Sequence, residues 1–313
     1  MSAARPLGGS GLTTPPLVLG GNVFGWTADK ATSFRVLDAF ADAGGTMVDT
    51  ADVYSAWVPG HTGGESETVI GEWLKASGKR MQIATKVGML PGEGGEKLAP
   101  ARIAAACEAS LKRLGVETID LYFAHQDDEA VSQEDALAAF GKLIDAGKVR
   151  ALGASNFSAE RLKSALDVAA RDGLPRYEVL QPEYNLVSRD KFEGALQDLC
   201  VAENIGVVPY YGLASGFLTG KYRSVDDLGQ SVRGGRMGAL LESKGAVLVA
   251  LDAVAAETGA SLAQIALAWL AAQPAITAPI ASATSLTQMN ELAGAWNVVL
   301  SPDQLARLTA AGA

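Results

Sequence analysis

Short apolar runs rich in β-branched residues alternate with longer segments of helical periodicity, and this alternation constrains the fold more than any other feature. Each run is followed by a helical segment, the pattern of parallel strands joined by right-handed crossovers. The predicted strands are 17–19, 46–50, 82–87, 119–123, 149–153, 177–181, 206–210 and 276–280. The predicted helices between and after them are 33–43, 65–77, 101–114, 134–146, 159–172, 192–203, 244–258 and 285–292. Eight such units are the number at which a parallel sheet closes into a barrel.

An open, doubly wound sheet is the competing interpretation of the same alternation. Its phosphate-binding turn needs the spacing G-x-G-x-x-G after the first strand. The chain instead has the sequence GGNVFG at 20–25, which lacks that spacing. We therefore predict an α/β fold, a (β/α)8 TIM barrel that forms a single domain over residues 1–313. An N-terminal β-hairpin within Arg5–Pro16 is expected to cover the barrel floor.

Two further helices are indicated by capping signals. Ser261 and Gln264 have the spacing of a capping box, which predicts a helix that ends before Pro274. The sequence SPDQ at 301–304 combines an N-cap serine with proline at the first helical position, and predicts an additional C-terminal helix. The long inserts 54–64, 89–100 and 212–243 all follow strands, so we expect them at the C-terminal face, where barrel active sites lie.

Composition argues against several classes of function. The 313 residues include 26 Lys and Arg against 35 Asp and Glu, a formal charge of −9, and no basic block. Such a chain is a poor partner for nucleic acid or an anionic membrane surface. Cys107 and Cys200 lie far apart, which excludes a CxxC site and predicts two buried thiols. The N-terminus lacks the apolar core of a secretory signal, and we expect a cytoplasmic protein that spans no membrane.

Charged and polar residues mark the ends of three consecutive predicted strands. Asp49 and Lys86 end the second and third strands, His125 follows the fourth, and Tyr54 lies in the loop after the second. We expect these four side chains at one corner of the barrel mouth. A lysine beside a tyrosine is expected to lower the pKa of the phenol, and an aspartate keeps the buried ammonium charged. A neutral histidine can donate an N–H to an oxygen on the reacting carbon.

This set can deliver or accept a proton beside a carbonyl that is becoming an alkoxide. It contains no Ser-His-Asp arrangement, and two histidines are too few for a His₃ metal site. The hydride of a carbonyl reduction must then come from elsewhere, which indicates a nicotinamide cofactor and no metal.

Beyond these four residues, the chain resembles the aldo-keto reductase family over essentially its whole length. The matching stretches are VDTADVY 48–54, GESE 64–67, IATKVG 83–88, IDLY 119–122, RALGASNF 150–157, QPEYN 181–185, PYYGL 209–213 and GFLTGK 216–221. The resemblance implies that Asp49, Tyr54, Lys86 and His125 are the catalytic tetrad. Tyr54 would be the general acid, Lys86 its partner, Asp49 the residue that orients Lys86, and His125 the donor that positions the carbonyl.

The resemblance also implies a nicotinamide nucleotide site. Ser155, Asn156 and Gln181 match positions that hold the carboxamide, and Tyr210 matches the aromatic residue that stacks on the ring. A loop around the pyrophosphate and a segment at the adenosine end complete the site. The implied cofactor residues are Asn22, Ser155, Asn156, Gln181, Tyr210, Leu213, Ser215, Lys221, Ser282, Thr284, Gln288 and Glu291.

Thr284 departs from the family pattern, because it stands where the family usually has a cationic residue for the 2′-phosphate of the nucleotide. Hydroxyls and the following helix N-terminus can still bind a phosphate. We predict a preference for NADP(H) and leave NAD(H) or dual use open. The sequence RGGR at 233–236 is a second candidate for a phosphate contact, or a solvated basic loop.

The sequence thus predicts an NAD(P)(H)-dependent enzyme that reduces a small aldehyde or ketone, with a sugar-like substrate also open. Trp26, Trp57 and Val58 are candidate substrate contacts at the mouth. One alternative is a non-catalytic redox sensor that binds NADP(H), since related barrels serve as regulatory subunits of membrane channels. Another is a lyase that uses Lys86 as a Schiff base, which Asp49 disfavours because a paired ammonium is a poor nucleophile. A homo-oligomer is left open.

Overall fold

The centre of the fold is a curled sheet of eight parallel strands. The computed structural model describes residues 3–231 and 234–313. Two short N-terminal strands, β1 (Arg5–Pro6) and β2 (Thr13–Thr14), precede the sheet. The strands of the sheet are β3 (Val18–Gly20), β4 (Met47–Asp49), β5 (Gln82–Val87), β6 (Ile119–Ala124), β7 (Val149–Ser155), β8 (Tyr177–Gln181), β9 (Gly206–Val207) and β10 (Ile280–Ala281). They pair in the order β10-β3-β4-β5-β6-β7-β8-β9.

The two ends of this strand order also contact each other. Val207 in β9 forms a parallel bridge with Ile276, and the N–H of Thr277 donates to the Val207 carbonyl at 2.8 Å. The N–H of Ile280 donates to the carbonyl of Pro209 at 2.9 Å. The sheet therefore curls back toward its own first strand, which is consistent with a (β/α)8 barrel.

Ten α-helices surround the sheet within the described residues. They are α1 (Lys30–Asp42), α2 (Glu65–Ser77), α3 (Pro100–Leu114), α4 (Gln133–Asp145), α5 (Ala159–Asp172), α6 (Ala195–Ala202), α7 (Gly238–Thr258), α8 (Leu262–Ala271), α9 (Leu286–Gly294) and α10 (Pro302–Gly312). Short 3₁₀ segments lie at Ala214–Thr219, Val225–Gln230, Gly234–Arg236 and Ala295–Asn297. The predicted bounds of α2 and α5 agree with these, and the six other predicted helices are present with shifted ends.

The shifted ends have local causes. α1 begins three residues before its prediction because the Asp29 carboxylate caps it, accepting from the N–H of Thr32 at 2.8 Å. The predicted strand 206–210 is too long, since β9 ends before Pro209, and the predicted strand 276–280 is displaced, since β10 begins after Pro279; neither proline has an N–H to give to a ladder. The predicted capping box of Ser261 and Gln264 is present at the start of α8, and the predicted N-cap Ser301 of α10 also forms a capping box, with Gln304.

The N-terminal strands β1 and β2 pair antiparallel at the end of the sheet opposite the carboxyl ends of its strands. Gly8 in their turn has φ +54, and a Cβ there would lie 2.5 Å from both the Glu178 carbonyl and the Gly206 nitrogen. Leu7 and Leu12 join the apolar cluster inside the sheet, together with Met47 and Phe123. The hairpin therefore packs tightly against the amino ends of β8 and β9.

A second and larger apolar cluster fills the space between the sheet and the helices. Cys107 and Cys200 are buried there as free thiols, as predicted. Within the described residues, no single helix is long and apolar enough to cross a membrane. α7 and α8 meet the criteria of length and composition only when taken together, although they are bent by 96° relative to each other.

Candidate active site

Three neighbouring strands bring the four predicted catalytic residues to one corner of the sheet. Asp49 is the last residue of β4, Lys86 lies near the end of β5, and His125 follows β6 directly. Tyr54 lies in the loop that leads from β4 to α2. Because β4, β5 and β6 pair in parallel, their carboxyl ends share one edge and the side chains converge there.

The Lys86 ammonium is the centre of this corner. Its Nζ donates to Asp49 Oδ2 at 2.7 Å, to the Thr50 carbonyl at 2.7 Å and to the Tyr54 hydroxyl at 3.0 Å. The Lys86 side chain is fully buried, so these three acceptors replace the water that its three N–H groups lose. The Asp49 carboxylate is also held on its other side, since Gln181 Nε2 donates to Oδ1 at 2.8 Å.

His125 faces Tyr54 across the corner. The two ring centroids lie 6.0 Å apart, and the imidazole is almost fully buried. The main-chain carbonyl of His125 accepts from Asn156 Nδ2 at 2.9 Å, which fixes the backbone after β6. Within the described residues, the buried Nδ1 of His125 has no hydrogen-bond partner.

Burial dominates the protonation of this corner. It raises the pKa of the Tyr54 hydroxyl well above its usual range, and the negative charge of Asp49 raises it further. It lowers the pKa of His125 well below its usual value, and the Lys86 ammonium adds to that effect. Burial also lowers the pKa of Lys86, against the opposing charge of Asp49.

These pKa shifts differ from one expectation and agree with another. The pKa of Tyr54 is raised rather than lowered, because the desolvation of a tyrosinate and the nearby Asp49 disfavour the charged form. The expectation of a neutral histidine holds, since the lowered pKa keeps the His125 imidazole uncharged at neutral pH. Tyr54 and His125 are thus both neutral at this pH; the phenol keeps its O–H and the imidazole keeps one N–H, so each can donate a hydrogen bond.

A cavity of about 610 Å³ opens beside the corner. Asp49, Tyr54 and His125 line it, and Lys86 lies behind them outside the lining. The structure also brings together every cofactor residue that the sequence predicted, since all twelve line this cavity: Asn22, Ser155, Asn156, Gln181, Tyr210, Leu213, Ser215, Lys221, Ser282, Thr284, Gln288 and Glu291.

The part of the cavity next to the corner has polar groups that hold one another. Ser155 Oγ donates to the Gln181 carbonyl at 2.8 Å, and Asn156 Nδ2 lies 3.1 Å from Ser155 Oγ. The Tyr210 hydroxyl donates to Asn156 Oδ1 at 2.8 Å. Asn156 adopts a left-handed backbone with φ +59, which asparagine tolerates better than most residues. These bonds set the amide groups before any ligand binds.

The next part of the cavity is a strained loop. Tyr211, Ala214 and Ser215 have φ values of +57, +47 and +56, in the left-handed region that costs non-glycine residues about 1–3 kcal/mol. Lys221 folds back onto this loop. Its Nζ comes so close to Gly216 that a Cβ on this glycine would lie 2.9 Å from it. The Lys221 cation, which lines the cavity, makes this loop suited to an anionic group.

The far part of the cavity is built from hydroxyls and amides. Ser282 Oγ donates to Asn22 Oδ1 at 2.6 Å. Gln288 Oε1 accepts from the Thr284 N–H at 2.8 Å and from its hydroxyl at 3.1 Å. Lys221 is the only lysine or arginine among the lining residues that the structure describes. Of the RGGR sequence, Arg233 and the side chain of Arg236 lie outside what is described.

Sequence reasoning missed several lining residues. Tyr211 and Met89 line the cavity, as do Thr27 and Ser231. Tyr211 directly follows a predicted cofactor residue, and Met89 begins a predicted insert. Their positions in the chain could therefore have indicated that they line the cavity. Of the three candidate substrate contacts, Trp57 lines the cavity; Trp26 packs edge-on against Trp57 at 5.5 Å, and neither Trp26 nor Val58 is in the lining.

Comparison with known proteins agrees with this geometry. The sequence profile described as "Aldo/keto reductase family" matches residues 16–313. A probable voltage-gated potassium channel subunit beta from Oryza sativa subsp. japonica is 32% identical, over 98% of this chain and 95% of the relative. An L-glyceraldehyde 3-phosphate reductase from Escherichia coli O157:H7 is 30% identical, over 97% of this chain and 90% of the relative. A probable voltage-gated potassium channel subunit beta from Arabidopsis thaliana is 31% identical, over 94% and 91%.

The match spans the sheet, the corner around Lys86 and the whole cavity, and the relatives are covered over nearly their full length. The chain belongs to the aldo/keto reductase family of oxidoreductases.

Proposed function

We propose that this protein is an NAD(P)(H)-dependent carbonyl reductase that interconverts a small aldehyde or ketone with its alcohol, with Tyr54 as the proton donor. The observation that carries this proposal is the bond of 3.0 Å between the Lys86 ammonium and the Tyr54 hydroxyl. That hydroxyl lies at the wall of a cavity that His125 also lines. A buried phenol with a cation behind it and a neutral imidazole beside it suits the protonation of a carbonyl oxygen.

The cavity fits a nicotinamide nucleotide by the chemistry of its lining. Ser155, Asn156 and Gln181 present the hydroxyl and amide groups that a carboxamide can bond, and Tyr210 presents an aromatic face. Lys221 and the strained loop around Ser215 would hold the pyrophosphate. A bound reduced nicotinamide supplies the hydride that reduces the carbonyl carbon.

We assign the nucleotide as NADP(H) by preference and keep NAD(H) open. The hydroxyl of Thr284 and the N-terminus of α9, which follows it, are the groups available for a 2′-phosphate. Gln288 and Glu291 would lie at the adenine. A 2′-phosphate held by these groups alone is bound less tightly than one clamped by an arginine.

The residues of the corner then have separate tasks. The His125 N–H orients the carbonyl by bonding its oxygen, and the Tyr54 hydroxyl gives its proton to that oxygen as the C–H bond forms. The Tyr54 oxygen is left negative beside the Lys86 ammonium, which stabilises it until water returns the proton. Asp49 keeps Lys86 in place and charged. In alcohol oxidation the same groups act in reverse.

We extend this proposal to the fold, the substrate and the cellular location, as the sequence predicts them. We interpret the sheet as a closed (β/α)8 barrel within one domain, with the hairpin as its floor and α10 as an additional helix. The rim of Trp57, Met89 and Tyr211 would face a small carbonyl compound with apolar surface. We place the enzyme in the cytoplasm, which suits its two buried free thiols.

The test is the loss of reduced-nicotinamide absorbance with a panel of aldehydes, measured separately with NADPH and NADH. Tyr54→Phe should lower kcat by about 10²- to 10⁴-fold, the usual range for removal of a general acid. Tyr177→Phe is the matched control, because its buried hydroxyl has no partner among the described residues and lies outside the cavity. Equal turnover by wild type and Tyr54→Phe would refute Tyr54 as the proton donor.

A second candidate is a nucleotide-binding redox sensor with little turnover. The observation that favours it is the similarity to two relatives named as potassium channel subunits. The same assay separates the two functions. Tight NADPH binding by a wild-type protein that oxidises no NADPH with any aldehyde would favour the sensor.

A further inference from the structure

A buried ion pair lies behind the segment that carries Tyr54. Asp52 is fully buried, and its Oδ2 accepts from Arg102 Nη2 at 3.3 Å. Arg102 is also buried, in the first turn of α3. The other carboxylate oxygen, Oδ1, has no hydrogen-bond partner within residues 3–231 and 234–313. Arg102 is thus the side chain that holds this carboxylate.

Arg102 also holds the loop that follows β5. Its Nη1 donates to the Glu93 carbonyl at 3.3 Å, and a Cβ on Gly92 would lie 2.5 Å from the same nitrogen. The loop therefore wraps around the guanidinium. One cation connects the segment after β4, the loop after β5 and the first turn of α3.

Backbone hydrogen bonds hold the segment between Asp49 and Tyr54 to β5. The N–H of Thr50 donates to the Ala84 carbonyl at 2.8 Å, and the N–H of Asp52 donates to the Lys86 carbonyl at 3.3 Å. Arg102 supplies the side-chain contact to Asp52 itself. Since Asp52 lies two positions before Tyr54, a shift of the Asp52 backbone moves the phenol relative to Lys86.

We propose that Arg102 is a positioning residue for the reaction: by holding Asp52 it fixes the segment 50–54 and so keeps the Tyr54 hydroxyl in line with Lys86. This inference rests on the proposed function. Arg102 touches neither the cavity nor the reacting atoms. Its action is through Asp52.

The charges around Asp52 agree with this role. Burial raises the pKa of Asp52 to about 7, and the negative Glu67 on α2 adds to the rise. Arg102 and Arg113 on α3 oppose it, and the Asp52 charge in turn favours the charged form of Lys86 on β5. The buried Tyr122 hydroxyl on β6 also lies within the field of these groups. Loss of Arg102 would leave Asp52 unpaired and free to take up a proton.

The chain offers a matched control on the same helix. Arg113 Nε donates to Glu67 Oε2 at 2.6 Å, and Glu67 is fully buried like Asp52. Glu67 is further held by the Thr85 hydroxyl at 2.6 Å, and it lies on α2 rather than beside Tyr54. Arg113→Met therefore removes an arginine from a buried carboxylate without breaking a hydrogen bond to the segment 50–54; the Arg113 charge acts on Asp52 only through space.

The experiment compares Arg102→Met, Arg102→Lys and Arg113→Met for kcat and KM at saturating NADPH, for NADPH affinity and for Tm. A small misplacement of a catalytic group lowers kcat strongly, so Arg102→Met should lose about tenfold or more in kcat with little change in NADPH affinity. Arg102→Lys should recover most of that loss. Arg113→Met should lower Tm and leave kcat within about twofold of wild type.

Hydrogen–deuterium exchange in the peptide that contains Tyr54 gives a readout that needs no turnover. It should rise in Arg102→Met and stay unchanged in Arg113→Met. If Arg102→Met does not fold, Asp52→Leu/Arg102→Met removes both buried charges together and should fold, since an apolar pair often replaces a buried ion pair without loss of stability.

That double variant should show the same low kcat and fast exchange. Wild-type kcat and exchange in a folded Arg102 variant would overturn the positioning role, as would an equal loss in Arg113→Met. An inactive wild type would count against the proposed function alone. Hydrogen–deuterium exchange in the Tyr54 peptide would still test whether Arg102 fixes the segment 50–54.

Discussion

The two ends of the cavity are built differently. At the end that we propose to be catalytic (the catalytic end), buried side chains from strand ends hold one another, and the Lys86 ammonium alone makes three contacts of 3.0 Å or less. At the end that we propose for the nucleotide (the nucleotide end), loop residues line the cavity, and Thr284 bonds to Gln288 through its N–H and its hydroxyl. The first end is fixed by the sheet, and the second by loops.

The difference indicates where this chain can vary without losing its chemistry. A buried ion pair that loses one partner leaves an uncompensated charge, so changes at the catalytic end affect both folding and activity. Loop residues at the nucleotide end are partly exposed and can change affinity with little effect on the fold. Variants at the catalytic end should therefore change kcat and stability, and variants at the nucleotide end should change nucleotide preference.

The largest effect is expected for Lys86→Met. It removes the cation beside Tyr54, so kcat should fall by about 10²-fold or more, and it leaves Asp49 buried without its partner, which costs about 3–5 kcal/mol of unfolding free energy. Steady-state kinetics and denaturant unfolding measure the two losses. Lys79→Met is the control, since Lys79 pairs with Asp42 at the surface. A Lys86→Met protein as stable as wild type would show that the catalytic end is not held by this ammonium.

A smaller effect is expected at the nucleotide end for Thr284→Arg. An arginine at this position can clamp a 2′-phosphate, so KM for NADPH should fall by about fivefold to tenfold while kcat and KM for NADH stay near wild type. Thr287→Arg is the matched control, because Thr287 is exposed on α9 and does not line the cavity. The same gain in Thr287→Arg would mean that added positive charge, not a contact at position 284, sets the preference.

The smallest effect is expected for pH at His125. Because burial holds its pKa well below 6.5, the ring stays neutral in the folded protein when the pH falls from about 8 to 6.5. Below pH 6.5 the unfolded chain binds a proton that the buried ring does not, so the unfolding free energy should decrease there. Histidine NMR in His61→Gln leaves one signal to follow. A signal that titrates near pH 6.5 would contradict the burial of the His125 imidazole.

Local sequence signals predicted much of the fold. The helix bounds of α2 and α5 follow from periodicity, which depends on residues within one or two turns of each other, and Ser158 also caps the start of α5. The strand ends near Pro209 and Pro279 were misplaced, since a strand is defined by its partner and a proline removes the N–H that the partner needs. The predicted bounds agree for two helices, α2 and α5, and for two strands, β5 and β8, and the agreement is poorest for the last two strands.

The candidate site was predicted residue by residue, but its energetics were not. The resemblance identified the tetrad and the twelve cofactor positions, and all twelve line one cavity. It did not predict that Tyr54 has a raised pKa, because burial depends on elements far apart in the chain. Nothing in the sequence indicated that Arg102 reaches Asp52 across fifty positions.

The sequence by itself determined the order of strands and helices, the family, and the types of groups at each strand end. These properties are local, since they depend on periodicity, caps and residue chemistry. Only the tertiary structure decided which polar groups lose water together, which carboxylate pairs with which cation, and therefore which protons stay in place. Desolvation and ion pairing depend on every element packed around a group, and that packing exists only in the folded chain.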